Sequence, residues 1–117
     1  MEKKMEYNAN NVFAKILRGE LPCNKIYEDD YALAFYDINP QAKVHFLVVP
    51  KKHITSAAAL TEEDGALLGH IFAVIAKLAA EQGLNNGYRV ISNVGEDAGQ
   101  TVKHLHFHVL GGEKLPV

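Results

Sequence analysis

Near the C-terminus the chain reads Lys103-His104-Leu105-His106-Phe107-His108-Val109-Leu110-Gly111-Gly112, and three of its six histidines fall within five residues. Imidazole has an ordinary pKa of about 6.5, so it can act as nucleophile, base or acid near neutrality. Side chains on a strand alternate between faces. The spacing therefore predicts a strand that shows His104, His106 and His108 on one face, about 7 Å apart. Leu105, Phe107 and Val109 share the opposite face and feed a core.

Two chemistries use such a row. Three histidines with an open fourth position make a catalytic zinc set. Ligands at i and i+2 converge easily, but a third on the same strand would reach back from about 13 Å, which makes His45 the alternative third ligand. No H-E-x-x-H and no paired cysteines accompany them. The other chemistry is nucleophilic attack on phosphorus. Like charges depress one another's pKa, so a middle histidine between two others is biased towards its neutral, nucleophilic form. An anionic substrate would favour protonation of a neighbour, which then becomes a donor. Charge spreading onto phosphate oxygens needs such donors. Gly99-Gln100-Thr101 can offer backbone N–H groups and a hydroxyl, or Gly95 and Gly99 can simply shape a turn. The stretch is not a Walker loop, since the glycine spacing is one residue short and no lysine follows Gly99.

The elements that must position these residues are legible in outline. Asn10 or Asn11 can cap a short helix with Val12, Phe13, Ile16 and Leu17 on one stripe and Gly19 as its stop. Lys25 to Tyr27 and Tyr31 to Tyr36 read as a hairpin around Glu28-Asp29-Asp30. Asp37 to Gln41 is a loop, and Val44 to Val49 a strand apolar enough to lie mid-sheet. Thr61 caps a long helix whose Leu67, Leu68, Ile71, Phe72, Ile75, Leu78 and Ala79 form the buried face, ended by Gly83. Tyr88 to Asn93 is a fourth strand, Gly95 to Gly99 a loop, and the histidine strand is the fifth. The expected fold is α+β, a mainly antiparallel five-stranded sheet with one long and one short helix. One face of the sheet lies under the long helix, and the histidine face looks into a cleft.

The totals bound the function. At 117 residues, one domain is expected over residues 11–117, behind a flexible N-terminus of residues 1–10. A net charge of −2 and no basic stripe leave nucleic acid without an electrostatic footprint. The longest apolar stretch, Gly65 to Ala80, is interrupted by His70 and Lys77 and is too short to span a membrane. Met1 to Glu6 leads into no apolar run, so no secretory leader is expected. The lone Cys23 permits no internal disulfide and suits a reducing cytoplasm, as a small structural residue more than a reactive thiol.

His104 to Leu110 resembles the signature of the histidine triad superfamily of nucleotide-binding hydrolases and transferases. The likeness is closer to its branch of histidine triad nucleotide-binding proteins, the purine nucleoside phosphoramidases. It extends through Val12 to Ile16, Leu33 to Ala42, His45 to Ile54, Leu67 to His70, Gly99 to Thr101 and Val109 to Gly112, and covers roughly residues 11 to 112 in order. The resemblance implies that His106 is the nucleophile and takes the nucleoside monophosphate as a covalent adduct, with no metal or other cofactor. His108 and Thr101 would contact the α-phosphate, helped by Gln100 and Gly99. Asp37 would hold the ribose hydroxyls, with Phe35, Ile38, Phe13 and Ile16 around the base and Asn93 near ribose and phosphate. His104 and His45 would orient His106. Without the resemblance, Asp37 reads as a turn residue before Asn39-Pro40, His53 as a loop histidine and His70 as a helix-surface or packed residue.

The same resemblance implies a homodimer joined edge to edge through its sheets, acting on AMP or GMP conjugates. Thr101 stands where many relatives carry serine, and the chain ends at Val117, short of the aromatic that relatives often carry further on. Two other activities fit parts of the pattern: dinucleoside polyphosphate hydrolysis, against which the Gly111-Gly112 ending counts, and nucleotide binding with little catalysis.

Overall fold

Alternation along the central strand organises the molecule. A computed structural model describes residues 6–117, and in it β3 (Val44–Pro50) sends Phe46 and Val48 to one face and His45, Leu47 and Val49 to the other. Both sets are buried, which is why this strand reads as an almost continuous apolar run. Its neighbours are β2 (Ala32–Tyr36) and β5 (Phe107–Gly111), with β1 (Lys25–Glu28) and β4 (Tyr88–Ile91) at the edges. The order is β1-β2-β3-β5-β4, and every adjacent pair is antiparallel. The last strand thus slots between β3 and β4, placing His108 opposite Leu47 on one side and Ile91 on the other.

The connection from β3 to β4 is the long helix α2 (Gly65–Glu81). Thr61, the expected cap, instead starts a 3-10 turn (Glu62–Asp64) that leads into the helix, and Asp64 holds the N-cap position, its carboxylate accepting the Thr61 backbone N–H at 3.0 Å. Ile71, Val74, Ile75, Leu78 and Ala79 bury against Phe46, Val48, Phe107 and Val109, forming the main core. Phe72, expected inside, is 46% exposed, and Val74 takes its place. At about 100° per residue, position 72 falls on the flank of the stripe that Ile71, Val74, Ile75 and Leu78 define. The Phe72 ring instead meets Phe107 edge-on with centroids 5.2 Å apart.

The opposite face is covered as well. The short helix α1 (Val12–Leu17) is capped by Asn11, whose side chain accepts the Ala14 N–H, and its Phe13 packs with Leu33, Phe35, Leu47 and Val49. This second, smaller core partly roofs the histidine face and turns an open sheet surface into a cleft. Two strand boundaries differ from expectation. The β4 ladder stops at Ile91, and β5 begins only at Phe107. Residues 104–106 keep their alternation without the ladder, because the Leu105 N–H donates to the Ile54 carbonyl at 2.7 Å instead of to a strand.

Residues 1–5 of the expected flexible start lie outside the described residues. Tyr7 is docked, its ring stacked on His53 with centroids 4.3 Å apart. Among the described residues no helix is long and apolar enough to cross a membrane.

Candidate active site

A cavity of about 550 Å3 opens between α1, the Asp37–Gln41 loop and the Gly95–Thr101 loop. That volume suits a small organic ligand. His106, His108, His45, Thr101, Asp37, Ile38, Phe35, Phe13, Ile16, Asn93 and Gly99 all line it. A second depression of about 580 Å3, beside the turn before β4, holds no histidine, so size alone does not select the site.

Hydrogen-bond partners determine which ring nitrogen carries each proton. The Gln41 backbone N–H donates to His45 Nδ1 at 3.0 Å. In a neutral ring the proton is then on Nε2, which donates to His108 Nδ1 at 2.9 Å. His108 Nε2 is left as a donor. The His106 ring is wired the opposite way. Its Nδ1–H donates to the His104 backbone carbonyl at 2.6 Å, leaving Nε2 as the lone-pair atom. One cleft therefore holds a bare imidazole nitrogen beside an imidazole N–H.

Burial keeps these rings neutral. Desolvation pushes the pKa of His45, His104 and His106 below the ordinary imidazole value. His108 falls furthest, to about 4, from burial first and then from His106 and His45. The flanking-histidine argument was made for the middle ring, His106, and fails there, since burial alone lowers it; neighbouring histidines act on His108 and His104 instead, behind burial. The Phe13 ring stands edge-on against His106 with centroids 4.8 Å apart and holds it from the cleft side.

Asp37 Oδ1 accepts the Asn39 N–H at 2.8 Å, and its Oδ2 stands 3.4 Å from His45 Nε2 and 3.9 Å from His108 Nδ1. These three side chains are also the described group whose donor atoms could hold a metal ion. Of the ligands the sequence suggests, His45 and His108 fall in this group, while His104 and His106 do not join it: His104 bonds the Pro50 carbonyl and His106 bonds the His104 carbonyl.

One expected contact is placed elsewhere. The Gln100 side chain, expected at the phosphate, is buried in a brace: its Oε1 accepts the Gly95 N–H and its Nε2 donates to the Thr55 and Val102 carbonyls. It shapes the loop that presents Thr101. Gly95 and Gly99 hold φ of 74° and 73°, a left-handed backbone that favours glycine. His104 is fully buried outside the cavity lining, while Ile38 touches the cavity but is 92% exposed. Leu47 and Tyr7 were not singled out in the sequence. Leu47 was reachable, because it shares a face with His45 two residues away. Ser92, whose hydroxyl donates to the His106 carbonyl at 2.8 Å, carries no sequence signal.

An antiparallel α+β sheet with a neutral histidine row beside a glycine-bounded loop defines a class, and the comparisons name it. A family model, the HIT domain, matches residues 18–115, and the chain belongs to that family. It is 49% identical over 106 residues to an uncharacterized HIT-like protein of Synechococcus elongatus, covering 91% of this chain and 93% of that protein. A HIT-like protein of Helicobacter pylori is 50% identical over 105 residues, covering 89% and 98%. Among solved structures, a histidine triad protein from Clostridium difficile superposes with a TM-score of 0.89 at 50% identity, covering 97% of this chain and 98% of that one. A HIT family hydrolase from Legionella pneumophila gives a TM-score of 0.89 at 44% identity, covering 92% and 96%.

Proposed function

We propose that this chain is a hydrolase that cleaves the P–N bond of purine nucleoside 5′-phosphoramidates through a nucleotidyl-His106 intermediate, without a metal ion. The observation that carries the proposal is the pairing of a bare His106 Nε2 with a His108 Nε2–H in one cleft. The kinship to proteins named HIT family hydrolases supports hydrolysis in general.

His106 Nε2 attacks the α-phosphorus and the P–N bond breaks. The bound anionic phosphate favours a second proton on His108, and that ring passes its Nε2 proton to the leaving amine and returns to neutral. The His106 ring, cationic once its Nε2 is bonded to phosphorus, is stabilised by the His104 carbonyl on its Nδ1–H. Thr101 and the backbone around Gly99 receive the phosphate oxygens. Water then attacks phosphorus and gives its proton to His108, and the nucleoside monophosphate leaves, restoring His106. Asp37 accepts the ribose hydroxyls, Asn93 lies beside ribose and phosphate, and Phe13, Ile16, Phe35 and Ile38 form the apolar wall for the purine.

Single-turnover reaction with labelled adenosine 5′-phosphoramidate should leave an acid-labile label on the protein. His106→Ala should abolish both label and turnover, and a His106→Ala protein that still labels would overturn the proposal. Comparing rates on a dinucleoside polyphosphate separates the sister activity. Nucleoside monophosphate binding with no turnover above buffer separates a purely regulatory role.

The Asp37, His45 and His108 grouping favours one second function, a metal-dependent hydrolase. Full activity after exhaustive dialysis against a chelator dismisses it. A homodimer joined along β4 is part of the proposal, supported by the exposed Tyr88, Ile91 and Val94 on and beside that edge strand. A reducing cytoplasm suits the lone, half-buried Cys23.

A further inference from the structure

The end of the histidine row that faces away from the cleft has its own apparatus. His104 Nε2 lies 2.7 Å from the Pro50 carbonyl, which can only accept, so Nε2 must carry the ring proton. Nδ1 is then bare, and the Tyr7 hydroxyl donates to it at 2.6 Å. The other tautomer would set a lone pair against the Pro50 carbonyl. Tyr7 is held in turn by stacking on His53, with the two rings 14° from parallel.

The consequence passes through one peptide group. The carbonyl of His104 accepts the His106 Nδ1–H, and the N–H of Leu105, in the same peptide plane, donates to the Ile54 carbonyl. That plane directs the nucleophile, and the His104 ring anchors the residue it belongs to. The ring is fully buried, so an unmet Nδ1 would be desolvated without a partner and favour a different ring or peptide orientation.

We propose that Tyr7 is a positioning residue for catalysis: its hydroxyl meets the buried Nδ1 of a His104 ring whose tautomer the Pro50 carbonyl sets, and through the His104 carbonyl it holds His106 with Nε2 bare and aimed into the cleft. The N-terminal segment is thus part of the active site's support, although it touches no substrate. This inference rests on the reading of His106 as the nucleophile. The titratable groups that face the His104 ring are Tyr7 on Nδ1, His53 with its centroid 6.4 Å away, and His106; the Pro50 carbonyl and the apolar Phe13 complete its surroundings.

The test compares wild type with Tyr7→Phe and His53→Ala. Ring nitrogen NMR of the wild type should show His104 as the neutral Nε2–H tautomer. Tyr7→Phe should keep the proton on Nε2 but move the Nδ1 resonance to that of an unbonded ring nitrogen, and should lower kcat roughly tenfold with KM nearly unchanged. His53→Ala, which keeps the hydroxyl and removes the stack, should fall between the two. A wild-type ring that is charged or carries its proton on Nδ1 overturns the proposal. So does a Tyr7→Phe protein whose Nδ1 resonance and kcat match wild type, or one that loses only thermal stability. If the wild type forms no covalent label, the proposed function fails, while the ring spectrum still reports whether Tyr7 holds His104.

Discussion

At the scale of single residues, the chemistry depends on where protons are refused. A protonated His106 has no lone pair on Nε2, and burial opposes that protonation. The acid limb of the rate profile should therefore lie below the ordinary imidazole value of about 6.5, and His108 titrates only near about 4. The same depression governs stability. Unfolded histidines bind protons first as pH falls, so this contribution is intact above about 6.5 and is lost as pH drops from there towards 4. Urea unfolding at pH 7 and pH 5 should show the lower midpoint at pH 5. Thr101→Ala removes the proposed phosphate donor and should cost roughly 10²-fold in kcat, while Thr101→Ser should retain most activity.

At the scale of elements, short connections set the reach of the site. The glycine-bounded loop is strained for any other residue, so Gly99→Ala should cost about 1 kcal/mol of stability. It should also lower turnover roughly tenfold by displacing Thr101; thermal unfolding and steady-state rates check the two effects separately. The β1–β2 hairpin is fixed by Asp29. Burial alone would raise its pKa, but bonds from the Tyr31 N–H, the Tyr27 hydroxyl, the His70 ring and the Ala32 N–H bring it down to about 2. The stability it contributes is present above the ordinary carboxylate value and is lost as pH falls through about 2. Alternation predicted the faces of the histidine row, yet the ladder ends at Phe107. A side-chain pattern reports orientation and says nothing of which backbone receives each N–H.

At the scale of the molecule, α2 and the sheet enclose one core and α1 a smaller one. Phe46, with no exposed surface, sits in the larger. Phe46→Ala should cost about 3–5 kcal/mol in chemical unfolding. The proposed dimer predicts that a charge at the β4 edge, Ile91→Lys, shifts the sedimentation coefficient from dimer to monomer. The strand count and the long helix were legible because their apolar periods are strong. Phe72 was misassigned because a helix stripe read from spacing has blurred flanks.

The sequence by itself determined the histidine face, the cap of the short helix, the glycine stops of both helices, and the apolar runs that become central strands, because each depends on near neighbours in the chain. Only the tertiary structure decided the proton map. His45 meets His108 across 63 residues and Tyr7 meets His104 across 97, and no local pattern records contacts that arise when distant strands and a terminal segment are brought onto one sheet.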